Sequence, residues 1–214
     1  MCQIETIILR YNKLYAKVSK CAFFQSSVEY LGHVVIATGL SPDPAKVQAV
    51  QDWRIPGSVT DVRSFLGLAG YYRRFIPQFA KIAAPLTNLT RKDHPFAWTL
   101  REGEAFQHLK DALIRAPILQ LADPSKEFIV TTDASDFAVG AVLSQVWDNG
   151  EHLVAHESRK MNAAEVNEAT HERELLAVIH ALRTWRHYLL GNHFIVVTDH
   201  NSLKYLHTQS TLSI

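Results

Sequence analysis

Residues 128–145 read FIVTTDASDFAVGAVLSQ. The first six, Phe128 to Asp133, are a β-rich run of β-branched and aromatic residues, and Ala138 to Val146 form a second such run. Asn149-Gly150 is a strong hairpin turn, so His152 to Ser158 is expected to return antiparallel to the second run. Downstream, Glu165 to Leu190 reads as one long helix ended by Gly191, Phe194 to Thr198 as a fourth strand, and Ser202 to His207 as the start of another helix. The order β-β-β-α-β-α, an antiparallel meander followed by a helical crossover, predicts a mixed α/β sheet domain over 124–214.

Upstream of Asp123-Pro124 the pattern is helical. Ile4 to Lys17 carries spaced apolar residues and predicts a helix. Ala22-Phe23-Phe24 and Val28 to Ile36 read as a strand pair with a turn at Gly32, closed by Gly39 and Pro42. Asp43 is a helix cap with Pro44 in the first turn, and Val47, Val50 and Trp53 follow on one face. A second helix opens at Thr60-Asp61 with Val62, Phe65, Leu66, Leu68 and Ala69. Tyr71, Tyr72, Phe75 and Phe79 fill a stretch limited by Gly70 and Pro77. Glu102 to Ile114 is a further amphipathic helix, with Phe106, Leu109 and Leu113 on its face. The expected division is 1–42 with strands, 43–123 helical, and 124–214 α/β, giving an α+β chain overall.

The chain has 214 residues, 47% of them hydrophobic and 20% charged, which is ordinary globular usage. No apolar run approaches the ~20 residues of a membrane span, so no membrane partner is expected. Nothing near the N-terminus reads as a secretory signal, and Cys2 and Cys21 are too few for a disulfide framework. The net charge of +1 conceals an asymmetry. Residues 1–123 hold 15 Lys/Arg against 10 Asp/Glu, and residues 124–214 hold 7 against 11. A basic first zone suits a polyanion and an acidic second zone suits a cation.

Three acids stand in apolar settings. Asp133 ends a strand in phase with Ile129 and Thr131, and Asp199 ends another in phase with Ile195 and Val197. Glu174 precedes an apolar helical stripe of Val178, Ala181 and Trp185. Two strand-end aspartates side by side, with a helix across them, would gather three carboxylates. Such a cluster repels itself unless a cation neutralises it, and hard oxygen ligands suit Mg²⁺. Two such ions about 4 Å apart activate water against a phosphodiester. Spacing alone leaves open ordinary strand-end and cap roles for all three.

The stretches TDASDFAVGAVLSQ (132–145), THERELLAVIHALRTWRHYLLG (170–191) and TDHNSLKYL (198–206) resemble the RNase H domain of gypsy-type LTR-retrotransposon polyproteins. RSFLGLAGYYRRFIPQFAKIAAPLTNLTRK (63–92) resembles the thumb or connection of the same reverse transcriptases, and SKCAFFQSSVEYLGHVV (19–35) the end of the palm with its primer-gripping turn. The resemblance spans about Tyr11 to Gln209. It implies that Asp133, Glu174 and Asp199 are catalytic metal ligands for Mg²⁺ (or Mn²⁺) and that the family activity is endonucleolytic hydrolysis of RNA in RNA/DNA hybrids. It implies nucleic-acid contacts at Arg73, Arg74, Lys92, Tyr30 and Gly32. The Asp-Glu-Asp order favours RNase H over the related integrases, which end in Glu.

The same resemblance implies a piece of a longer polyprotein. The polymerase Tyr-x-Asp-Asp motif is not in this sequence, and the family's fourth RNase H acid lies in a helix beyond the point reached by Ile214. Weak or lost cleavage is therefore expected of residues 1–214. The alternative is a non-enzymatic, domesticated or degenerate module that binds nucleic acid or a host protein. Expected partners are an RNA/DNA hybrid or other nucleic acid, the rest of the polyprotein or a host protein. The expected location is intracellular, cytoplasmic in a virus-like particle or nuclear. The 11 histidines lack an HExxH arrangement, and no zinc site is expected.

Overall fold

The computed structural model describes residues 11–15, 17, 21, 24–92 and 94–199. The expected strand at Ala22-Phe23, the helix at Ser202–His207 and most of the helix over 4–17 lie outside these residues. The described chain builds a three-stranded antiparallel sheet, a helical layer and a four-stranded mixed sheet.

The first sheet pairs β1 (Ser27–Tyr30) with β2 (His33–Ile36), and β2 with β3 (Gly39–Pro42). Gly39 and Pro42 were expected to close the strand pair; instead they bound a third strand. Gly39 has φ +147°, and a Cβ there would meet the Leu119 carbonyl oxygen at 2.2 Å. Only glycine lets β3 approach this closely, and Leu40 and Leu119 exchange backbone hydrogen bonds of 2.7 and 2.8 Å.

The helical layer comprises α1 (Pro44–Gln51), α2 (Val59–Tyr71), a 3-10 turn (Arg73–Phe75), α3 (Phe79–Ile82), α4 (Ala84–Leu89) and α5 (Leu100–Ile114). Asp43 caps α1 as expected, accepting from the Ala45 amide at 2.8 Å. α2 begins at Val59, one residue before the expected opening at Thr60-Asp61, and Ser58 caps it by accepting from the Asp61 amide. Thr99 and Glu102 close a capping box at α5. Apolar faces meet in one core around Val62, Phe65, Phe75, Leu86 and Leu109, all fully enclosed. Each such side chain contributes roughly 1.5–3 kcal/mol.

The second sheet runs β6 (Gly150–Lys160), β5 (Ala138–Trp147), β4 (Phe128–Ala134) and β7 (Phe194–Thr198), with β4 and β7 parallel and the other pairs antiparallel. The hairpin differs from expectation by one residue. Trp147 pairs with Gly150, so Asp148-Asn149 form the loop and Gly150, at φ +124°, opens β6. The long helix expected over 165–190 is three pieces, α6 (Ala163–Val166), α7 (Thr170–Thr184) and α8 (Arg186–Leu189). Asn162 and Glu165 cap α6, and the Glu172 carboxylate accepts from the Ala169 amide at 3.2 Å, so two separate N-termini replace one continuous helix. α7 packs its Ala177 and Ala181 on β4 and β5.

The two cores meet along β6. A bulge opposite Leu143/Ser144 inserts Val154, which faces the sheet core with Ala155, while Leu153 packs against the helical core. Arg73 and α3 rest on the same strand. The Gln145 side chain, fully buried, accepts from the Asp123 amide at 2.9 Å and donates to the carbonyls of Asp123 and Lys126. That fixes the connection between layers to the sheet.

Candidate metal centre and nucleic-acid surface

Parallel pairing sets the site. β4 and β7 are in register with Thr132 beside Thr198, so the next residues, Asp133 still within β4 and Asp199 just past β7, lie at the same end of the sheet. α7 crosses that end and delivers Glu174. One carboxylate oxygen from each of Asp133, Glu174 and Asp199 lies within 4.8 Å of the others. Both aspartates are exposed, whereas Glu174 is only 4% exposed. Two accessible ligands and one immobilised by packing suit a cation that must also reach a substrate.

Arg173, next to Glu174, ties α7 to the turn after Asp133. Its Nη1 is 3.5 Å from the Ser135 carbonyl and 3.6 Å from an Asp136 carboxylate oxygen. Within that turn the Ser135 amide and hydroxyl both donate to the Ala138 carbonyl. Arg173 is not among the residues the sequence points to, although its place beside Glu174 is a signal.

A groove of about 150 Å³ runs from Asp133 over the sheet face, lined by Thr131, Val142 and His156 and walled by Pro77 and Gln78. Burial holds the His156 imidazole below the usual histidine range. Gln78, at φ +50°, lines the same depression as Asp133, a neighbourhood no local pattern announced. Arg159, bonded twice to Glu165, holds that carboxyl below its usual range.

None of the five expected nucleic-acid residues belongs to the carboxylate cluster. Tyr30 ends β1 and is 65% exposed. Gly32, at φ +71°, makes the β1–β2 turn with Leu31. Two tyrosines pin that turn. The Tyr71 hydroxyl donates to the Leu31 carbonyl and the Tyr72 hydroxyl to the Gly32 carbonyl, the latter at 2.6 Å. Burial pushes the Tyr72 phenol up to about 12. Arg73 is committed to the seam, donating to a Glu157 carboxylate oxygen at 2.8 Å and to the Ser158 carbonyl. His180 of α7 reaches the same Glu157 oxygen at 3.2 Å. Arg74 is half-buried and Lys92 exposed beyond α4.

The family model described as "RNase H-like domain found in reverse transcriptase" matches residues 98–196. The chain carries an RNase H-like domain of the reverse-transcriptase type. Its homologues are Pol polyproteins of gypsy-type retrotransposons. The chain is 46% identical over 195 residues to the retrovirus-related Pol polyprotein from transposon 297 of Drosophila melanogaster, covering 91% of this chain and 18% of that protein. It is 37% identical over 198 residues to the transposon Tf2-3 polyprotein of Schizosaccharomyces pombe, covering 91% and 15%. The chain thus spans under a fifth of the length of these relatives.

Two solved structures superpose on this chain. The foamy viral protease-reverse transcriptase dRH in complex with double-stranded DNA superposes with a TM-score of 0.78 at 23% identity, covering 95% of this chain and 36% of that one. The foamy viral protease-reverse transcriptase in complex with RNA/DNA hybrid gives 0.76 at 22%, covering 100% and 31%.

Proposed function

We propose that Asp133, Glu174 and Asp199 form a divalent-metal site that hydrolyses the RNA strand of RNA/DNA hybrids. The observation that carries this reading is the convergence of their carboxylate oxygens to within 4.8 Å. Three carboxylates at that separation repel one another, and an all-oxygen donor set is the kind that Mg²⁺ or Mn²⁺ takes. Bound Mg²⁺ supplies Lewis-acid polarisation of the phosphate and a lowered pKa for water.

The chain's own residues do the rest. Asp133 and Asp199, exposed at the strand ends, hold ligand oxygens where a backbone phosphate can approach. Glu174, anchored by α7, sets the third oxygen. Arg173 fixes the β4–β5 turn against α7 so that Asp133 keeps its place. In the hydrolysis, water adds to phosphorus, the P–O3′ bond breaks, and the 3′ oxygen leaves with a proton. The family membership and the hybrid bound to the similar foamy viral fold support hybrid as the substrate. We assign the helical layer, residues 43–123, the part of a thumb or connection that holds the hybrid beside this site.

The test is cleavage of an end-labelled RNA/DNA hybrid by the 214-residue chain with Mg²⁺, with EDTA, and with Asp133→Asn or Glu174→Gln. Mg²⁺-dependent cleavage, however weak, that is abolished in either variant supports the site. Cleavage that persists in both variants overturns it.

A further inference from the structure

We propose that the seam between the helical layer and β6 is a phosphate track that leads a nucleic-acid strand to the carboxylates, with Lys81 and Lys160 as its phosphate-binding cations. The proposal rests on the hybrid-cleaving reading above and adds a binding surface to it.

Two adjoining depressions make the track. The first is lined by Asp133, Ser135 and Gly140 on the sheet side and by Gln78 and Lys81 on the helical side. The second, a groove of about 210 Å³, is lined by Thr87 and Ala84 on one side and by Arg159 and Lys160 on the other. Ser158 lines both. Its hydroxyl oxygen accepts from the Ala80 amide at 2.8 Å, which holds α3 on β6 where the two depressions adjoin. The floor on the helical side is Ala80, Ala83 and Ala84, small enough for a backbone to approach.

The charges along the track divide into two kinds. Arg73 is neutralised by Glu157 and Arg159 by Glu165, so both serve the seam itself. Lys81 and Lys160 form no ion pair among the described residues. Lys160 lines the groove, and its ammonium donates to the Asn88 side-chain oxygen at 3.4 Å. A carboxylate cluster repels a phosphodiester, and cations within a Debye length, about 8–10 Å, offset that repulsion along the approach. Two ammonium groups are suited to this because each is a compact donor able to follow a moving backbone.

The experiment measures binding of a fluorescent RNA/DNA hybrid to the full chain in EDTA at several salt concentrations. The proteins are wild type, Lys81→Gln/Lys160→Gln, the charge reversal Lys81→Glu/Lys160→Glu, and Lys46→Gln as a control on α1. The double neutral variant is expected to lower the slope of log K against log salt by about 1.8, near 0.9 per lost phosphate contact. Charge reversal should weaken binding further, with Lys46→Gln within twofold of wild type and all melting temperatures unchanged. Wild type that binds hybrid with the same slope and affinity as the double variants overturns the track and leaves the cleavage site standing. Wild type that binds no hybrid at any salt overturns both.

Discussion

Thr132 of β4 and Thr198 of β7 are register partners in parallel strands, and this one pairing places Asp133 beside Asp199. A shift of one residue would turn one aspartate to the opposite sheet face. The carboxylate cluster is therefore a consequence of strand register, with Glu174 added by α7, which precedes β7.

Mg²⁺ is expected to raise the melting temperature of the wild-type chain. A cation at 100 times its Kd adds about 2.7 kcal/mol, and for a chain of this size each 1 kcal/mol moves the transition by about 2–4 °C. In EDTA, Asp133→Asn should melt higher than wild type because it removes one of three mutually repelling charges, and Mg²⁺ should move it little. Thermal melts of both proteins with and without Mg²⁺ check this. A wild type blind to Mg²⁺ together with a destabilised Asp133→Asn would make Asp133 a structural cap.

Gln145→Leu should destabilise by about 2–4 kcal/mol. The side chain is enclosed and makes three hydrogen bonds to the 123–126 segment, so leucine leaves the Asp123 amide and two carbonyls without these partners. Urea denaturation reads the shift in midpoint. A change below about 0.5 kcal/mol would mean that water reaches those groups.

Gly39→Ala is expected to cost several kcal/mol, about 2–4, by driving β3 from Leu119. Gly150→Ala should cost less, since its φ is also positive but no atom lies within 4 Å of the added Cβ. Paired denaturation curves test the order. Equal effects would show that φ strain alone decides both.

Stability should fall as pH drops below the ordinary histidine range. His156 is kept neutral in the fold by burial, so its folded pKa lies below its unfolded one. The unfolded chain takes up that proton first, so the contribution is present above about pH 6.5 and is lost on acidification. Melts of wild type and His156→Gln between pH 7.5 and 5.5 should show a smaller fall in the variant. Parallel falls would assign the acid sensitivity to other groups.

The sequence determined those features that depend on local periodicity and punctuation. The period-2 runs of β4 and β5, the Asp43 cap, the apolar face of Phe106, Leu109 and Leu113, and the in-phase placement of Asp133 and Asp199 were all legible, because neighbours a few residues apart dictate them. Tertiary structure decided what rests on distant contacts. Gly39 to Pro42 became a third strand by pairing with β2, and Leu119, eighty residues on, holds that strand through its backbone bonds with Leu40. The helix over 165–190 broke because Asn162, Glu165 and Glu172 capped separate starts, and side-chain capping competes with an apolar periodicity that runs through all three pieces. Arg73 was drawn to Glu157, and Gln78 and Lys81 were carried to Asp133, by the packing of two cores along β6. No local pattern encodes that seam, since its two sides fold from segments about eighty residues apart.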